Sequence, residues 1–232
     1  LIEKIELNNS KLFEFVNINN GIVTGNDKKF ISKNKVNKDY KVCITGKNVK
    51  RYKIEEYKGY LDYDPKKLMR PRNKEIFESS EKLIMQMINI HLIVTYDDRK
   101  LYNLGTTYAI TKKSKKINLK FLLTLLNSKL FNFYYIKKFS NESSLTNAIS
   151  TKNLFEFPIK VLSTDDQQPF VKLADKMLSL NKKLQEIGDK NTLEKQKIQE
   201  EIQKTDNEID ELVYQLYGIT EEEKKIIEES LK

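Results

Sequence analysis

Two hydrophobic seams in the C-terminal third constrain this chain more than any other feature. Leu173, Met177, Leu180, Leu184 and Ile187 recur at steps of 4, 3, 4 and 3. Ile198, Ile202, Thr205, Ile209, Leu212 and Leu216 then recur at steps of 4, 3, 4, 3 and 4. Side chains so spaced fall on one face of a helix, in the manner of a coiled-coil seam. Gly188-Asp189-Lys190 interrupts the pattern, and Asn191-Thr192-Leu193-Glu194 has the character of a capping box. An antiparallel helical hairpin is the expectation, although one long kinked helix satisfies the same spacing. Gly218 is placed to end the second helix, and residues 220–223 open a short last helix with a second capping box. Such a hairpin needs a surface for its apolar face: its own front domain, a partner helix, or a further part of a parent chain.

Upstream the period shortens to two. Residues 12–25 read as a strand broken at Asn19-Asn20-Gly21, with Gly21 and Gly25 flanking a loop that leads to Lys28 and Lys29. Residues 40–45 form a second short strand. Residues 57–63 are aromatic and extended, residues 66–72 are irregular around Pro71, and residues 74–80 allow a helical turn. The β-branched run 82–96 is too long for one strand, so two strands are expected to meet near Asn89-Ile90-His91. A further extended segment covers 101–111. Residues 118–138 return to helical spacing through Leu119, Leu122, Leu123, Leu126, Leu130 and Phe133, with Asn118 as the N-cap and the stripe packed on the sheet. A polar loop over 139–154 and a short extended run at Phe157-Pro158-Ile159 complete the front. The expected fold is α+β: a curved, mainly antiparallel sheet with a packed helix, then the hairpin and a short C-terminal helix. The expected division is 1–164 and 165–232.

Charge divides at nearly the same place. Residues 167–232 carry 11 Lys against 15 Asp and Glu, whereas residues 1–166 carry 31 Lys and Arg against 18 acids. A net of +13 on the front suits a polyanionic partner. All four arginines, Arg51, Arg70, Arg72 and Arg99, lie within residues 51–99. The basic stretch 44–52 joins Lys47, Lys50 and Arg51 to Tyr52, cations beside a ring that suit phosphate and base contact, with Gly46 permitting a turn.

Catalytic chemistry is harder to find. Neither an N-P-P-Y run nor an F-x-G-x-G loop is present, and the single histidine, His91, cannot anchor a Ser-His-Asp triad. Cys43 is the only cysteine, expected in the core, so neither a disulfide nor a cysteine zinc site arises. Asp97, Asp98 and Lys100 are the one set that could be arranged as a nuclease. No catalytic, cofactor or metal residues are assigned. No apolar run is long enough to span a bilayer and no leader opens the chain, which points to the cytoplasm. Leu1 in place of Met suggests a piece of a longer polypeptide.

The order of segments resembles a known family. N-N-G-I-V-T-G-N-D-K-K-F-I, then I-T-G-K-N-V-K-R-Y, then K-L-I-M-Q-M-I with V-T-Y-D, is similar to the TaqI-like C-terminal specificity domain. So are F-L-L-T-L-L-N-S-K-L-F-N-F-Y-Y, F-P-I, D-D-Q-Q-P-F and the tail I-D-E-L-V-Y-Q-L-Y-G-I-T-E-E-E. The resemblance implies a target recognition domain of a restriction–modification enzyme or adenine DNA methyltransferase. Its catalytic part would lie N-terminal in the same polypeptide, with S-adenosylmethionine, and Mg2+ as a further candidate, bound in that parent. The partner it implies is double-stranded DNA. On that reading Lys28, Lys29, Lys47 and Lys50 hold phosphates, while Arg51, Arg70, Arg72 and Arg99, with Asn48 and Asn103, are the candidates for base edges. The alternative is a helical assembly module that tethers nucleic acid without specificity.

Overall fold

The computed structural model describes residues 1–55, 59–139, 148–188 and 192–231. The strands form two four-stranded sheets. In the first, Val16–Asn20, Thr107–Lys112, Lys82–Gln86 and Val94–Asp97 lie side by side and every neighbouring pair is antiparallel. The second orders Tyr102–Asn103, Tyr40–Ile44, Gly59–Asp62 and Ile31–Ser32, with its first pair parallel and the others antiparallel. Two small ribbons pair Ser10–Lys11 with Pro158–Ile159, and Val49–Lys50 with Lys53–Ile54. The α+β class and the mainly antiparallel pairing are as expected, and the run 82–96 does make two strands.

The division into two sheets occurs at two crossings. The extended segment 101–111 breaks at residues 104–106, sending Tyr102–Asn103 to the second sheet and Thr107–Lys112 to the first. Beside it the chain crosses at Gly21, whose N–H donates to Thr107 O (2.8 Å) while Ile22 N–H donates to Asn103 O (3.0 Å). A Cβ at Gly21 would lie 2.2 Å from Leu104 O, so only glycine fits this crossing.

The leucine stripe is two helices, Leu119–Asn127 and Lys129–Phe139, rather than one. Ser128 separates them in an extended conformation, its hydroxyl donating to Leu125 O and accepting from Phe131 N–H. Asn118 is the N-cap, accepting from Lys120 N–H (2.8 Å). The first helix is buried nearly all round because the sheet covers one side and the hairpin the other. Its Asn127 accepts from Val94 N–H and donates to Val94 O, and Asn132 accepts from Leu92 N–H. Side-chain amides thus occupy the outer edge of the strand Val94–Asp97, which no further strand pairs among the described residues.

The rear is the antiparallel hairpin, Gln168–Ile187 and Leu193–Tyr217, crossed by a Lys176–Glu201 ion pair (3.2 Å). In the first helix the buried line is Phe170, Ala174, Met177 and Asn181, displaced from the seam read from spacing. That helix serves two surfaces. Its buried line faces the leucine helix, while Leu173, Leu180, Leu184 and Ile187 are half-buried along its flank. Thr192 caps the second helix, Gly218 ends it in the left-handed conformation, and Thr220 with Glu223 closes a capping box on Glu221–Glu229. Asp189, Lys190 and Asn191 lie outside the described residues, as do residues 56–58 and residues 140–147 of the expected polar loop. The end of that loop is a helix, Thr151–Phe155, capped by Ser150.

The main core is continuous from the first sheet through the leucine helices into the hairpin, so it crosses the expected boundary at 164/165. Phe131 meets Phe157 and Tyr217 edge-on at its centre. The second sheet has a smaller core of its own: Ile22, Phe30, Cys43, Leu61, Leu68, Phe77, Tyr102 and Leu104.

Candidate nucleic-acid interface

A groove of about 1240 Å³ opens where the two sheets meet. Residues 22–25, 45–48 and 104–106 supply most of its wall, with Asp27, Lys50, Met69, Gln86 and Ile88 completing it. Two stretches singled out in the sequence, the glycine loop and the basic turn, are therefore neighbours in space.

Each wall is shaped locally. In the basic turn, Gly46–Asn48 is a single 3-10 turn in which Asn48 Oδ1 accepts from Thr45 N–H (2.9 Å). Gly46 N–H donates to Thr106 Oγ1 (3.0 Å), and a Cβ there would press on Thr106 O at 3.1 Å. Close approach, and not a left-handed backbone, is what calls for glycine at this position. Lys47 is exposed; Lys50 lies 3.6 Å from Glu55 in a half-exposed pair that solvent screens.

In the glycine loop, Gly25 takes φ +81° and the chain turns into the short helix Asp27–Phe30. Asn26 N–H is taken by Thr24 Oγ1 and Lys29 N–H by Asn26 Oδ1. These amides are committed within the loop, which leaves the exposed ammonium groups of Lys28 and Lys29 as its cationic feature. Arg70 does not line the groove but stands next to it, its backbone bridged to the wall residue Val23 by N–H···O bonds of 2.9 and 3.1 Å and its side chain exposed. Arg72 follows at φ +61°, half-buried, its carbonyl accepting from Tyr63 OH (2.6 Å).

Other residues expected to read bases are placed elsewhere. Arg51 turns away from the groove and grips the hairpin: Nη1 and Nη2 bond the two oxygens of Asp206 at 2.9 and 2.6 Å, and Nη2 also donates to Asn127 O (2.9 Å). Burial works against its charge, and Asp206 more than offsets this, holding the guanidinium above the ordinary arginine range. Tyr52 is not a stacking platform, because it is 1% exposed and locked at φ +60° with its N–H on Val94 O. Asn103 is 0% exposed and donates to Thr107 Oγ1 (2.8 Å), so its amide cannot reach a base. Arg99 lies in the turn after Asp97, at the Lys82 end of a strand whose Gln86 end borders the groove, roughly 13 Å away.

The nuclease arrangement is also overturned. Asp97 is 0% exposed, and its carboxylate accepts from Lys82 Nζ (2.5 Å), Arg99 N–H (3.0 Å) and Leu101 N–H (3.0 Å). Burial pushes the Lys82 ammonium below the ordinary lysine range. This is a buried pair that ties a turn. Among the described residues no group of three or more His, Cys, Asp or Glu is placed to hold a metal ion, and no helix is long and apolar enough to cross a membrane.

Met69, Gln86, Ile88 and Thr106 were not singled out from the sequence. Apolar runs such as 82–88 read as core, and nothing local marks which member faces a groove.

Comparison with curated proteins returns no match. Among solved structures, the type IIL restriction–modification enzyme MmeI, determined in complex with DNA, superposes with a TM-score of 0.65 at 12% identity. The match covers 91% of this chain and 33% of MmeI. The S subunit of a type I restriction–modification system from M. genitalium gives a TM-score of 0.50 at 12% identity, over 79% of this chain and 42% of that one. The chain thus spans less than half the length of either. The family model for the TaqI-like C-terminal specificity domain matches residues 41–159, which include the basic turn, both strands of the run 82–96 and the leucine helices. Fold and family model agree, and the chain belongs to the family of TaqI-like C-terminal specificity domains.

Proposed function

We propose that this chain reads the base sequence of double-stranded DNA on behalf of a methyltransferase or single-chain restriction–modification enzyme. The catalytic part would lie N-terminal in the same polypeptide, in the cytoplasm, and that parent would bind S-adenosylmethionine and, where it cleaves, Mg2+. One observation carries the reading: separate segments of a specificity-domain fold converge on a single groove, and exposed cations stand at its margin. Lys28, Lys29, Lys47 and Lys50 would hold phosphates and so set position without reading sequence. Arg70 at the rim, with Arg72 beside it, would present a guanidinium fork to a base edge, guanine being its usual partner. Arg99 would meet a different part of the duplex. Arg51 and Asn103 shape the scaffold instead, and Asn48 stands in the groove wall with its Oδ1 committed to Thr45 N–H.

Anisotropy titrations on a selected duplex and a scrambled one test this. Arg70→Ala should lose about 1–3 kcal/mol on the selected duplex and far less on the other. Lys47→Ala should weaken both alike and reduce the salt slope by roughly one phosphate contact. Equal losses on both duplexes for Arg70→Ala and Arg72→Ala would sink the assignment. A helical assembly role has one observation in its favour, Leu193 standing 78% exposed at the hairpin turn. Size measurements of the chain with and without its parent's N-terminal part separate that role from DNA reading.

A further inference from the structure

Two large apolar side chains stand out to solvent on the groove wall: Met69, 66% exposed, and Ile88, 49% exposed. They come from separate segments of chain, and backbone contacts hold each in place. Met69 N–H donates to Thr24 O (3.3 Å), and its neighbour Arg70 is bridged to Val23. Opposite it the chain has glycine: a Cβ at Gly25 would lie 3.1 Å from Met69 Cβ. Ile88 is bridged to Ala148, and the preceding Met87 donates its N–H to Thr106 O (3.0 Å) and accepts from Ile149 N–H (3.1 Å). Both positions are therefore built rather than incidental.

A surface that met only phosphates would be cationic and polar throughout. Here Lys47 and Lys50 share the wall with Asp27 and polar side chains, and Met69 and Ile88 stand out among them; exposed apolar groups gathered in one concavity mark a contact surface. Among the base edges of the major groove, thymine is distinguished by an apolar group, its C5-methyl. We infer that Met69 and Ile88 are specificity residues that pack against the C5-methyl of thymine in the bound duplex. The inference rests on the DNA-reading role proposed above and adds to it the base and the atom being read.

The test begins with selection of a preferred duplex from a randomised pool. Each thymine in it is then replaced singly by deoxyuridine, which removes the methyl and nothing else. Affinities are compared for the unaltered chain, Met69→Ala, Ile88→Ala and the volume-retaining Met69→Leu. At one or more positions uracil should weaken binding by about threefold to tenfold, the effect of one buried methyl. That penalty should vanish in an alanine variant and persist in Met69→Leu. Uracil tolerated at every position, a preferred sequence without thymine, or an unchanged penalty in both alanine variants would overturn it. No preferred sequence at all would bring down the DNA-reading role itself, whereas a sequence preference indifferent to the methyl brings down this inference alone. Circular dichroism melting checks that the variants keep the fold.

Discussion

The two four-stranded sheets are woven from alternating segments of one chain, yet they are supported very differently. The first is covered by the leucine helices, and behind these by the hairpin, in one continuous core. The second has eight buried side chains of its own, with a single turn of helix, Lys74–Phe77, contributing Phe77, and through Ile44 it shares a small further cluster with Val49, Ile54, Ile84 and Leu101. The groove lies at their junction, and the lighter sheet supplies the strand, Tyr40–Ile44, from which the basic turn springs. The difference suggests a division of labour to be tested: the larger core lies behind one sheet, while the basic turn of the groove springs from the other. Segments held by few buried contacts also open locally at lower free energy.

The largest test of that contrast is a pair of core truncations. Phe131→Ala, in the main core, should lose about 3–5 kcal/mol in urea unfolding and lower protection from hydrogen exchange everywhere. Leu61→Ala, equally buried in the second core, should lose about 2–4 kcal/mol, with the protection lost mainly from the second sheet. Identical exchange patterns for the two variants would show a single cooperative unit and break the comparison.

A pH titration sharpens the account of the heavier half. Asp210, where the hairpin meets the leucine helices, accepts from Lys129 N–H (2.8 Å), and burial pushes its carboxyl up to about 6. Below about pH 4 both folded and unfolded chains carry this proton. Between about pH 4 and 6 the unfolded chain releases it while the folded chain keeps it, so stability falls as pH rises, by at most about 3 kcal/mol. Asp210→Asn should flatten that decline; urea midpoints compared at pH 4.5 and 7 check it, and an unchanged slope would refute it.

The junction itself is probed by Gly21→Ala. Its Cβ cannot coexist with Leu104 O, so the sheets must shift apart at a cost of about 1–3 kcal/mol. Groove binding should suffer while both cores stay folded, as exchange protection would show. Smallest is Arg51→Ala, about 1 kcal/mol, because the pair with Asp206 is partly exposed and screened. A double-mutant cycle with Asp206→Ala measures that coupling.

What could be read from the sequence follows from how local each signal is. N-caps at Asn118 and Thr220 and the left-handed Gly218 depend on residues a few positions apart, and they are found where expected, whereas the first hairpin helix buries a line displaced from its seam. The break in the leucine stripe at Ser128 was masked by apolar residues on both sides of it. Arg51 read as a base contact because its partner, Asp206, lies 155 positions away. Asn103 and Tyr52 carry chemistry suited to nucleic acid, and only their burial shows that they serve the scaffold. Gly46 was identified as special for turn freedom, whereas its neighbour Thr106, 60 positions on, supplies the reason. The groove combines ends of strands from both sheets, which no local pattern marks.

The ribbon formed by Val49–Lys50 and Lys53–Ile54 is fastened to the hairpin twice, through different helices. Arg51 bonds Asp206 on Leu193–Tyr217, and Gln185 on Gln168–Ile187 donates to Ile54 O (2.9 Å). One fastening would leave a pivot, but two make a bracket. A body seated in the groove and a body docked along the hairpin would therefore be held at one spacing and one angle, as by a machinist's gauge. Shortening or lengthening the hairpin by a turn would reset that gauge by about 5.4 Å.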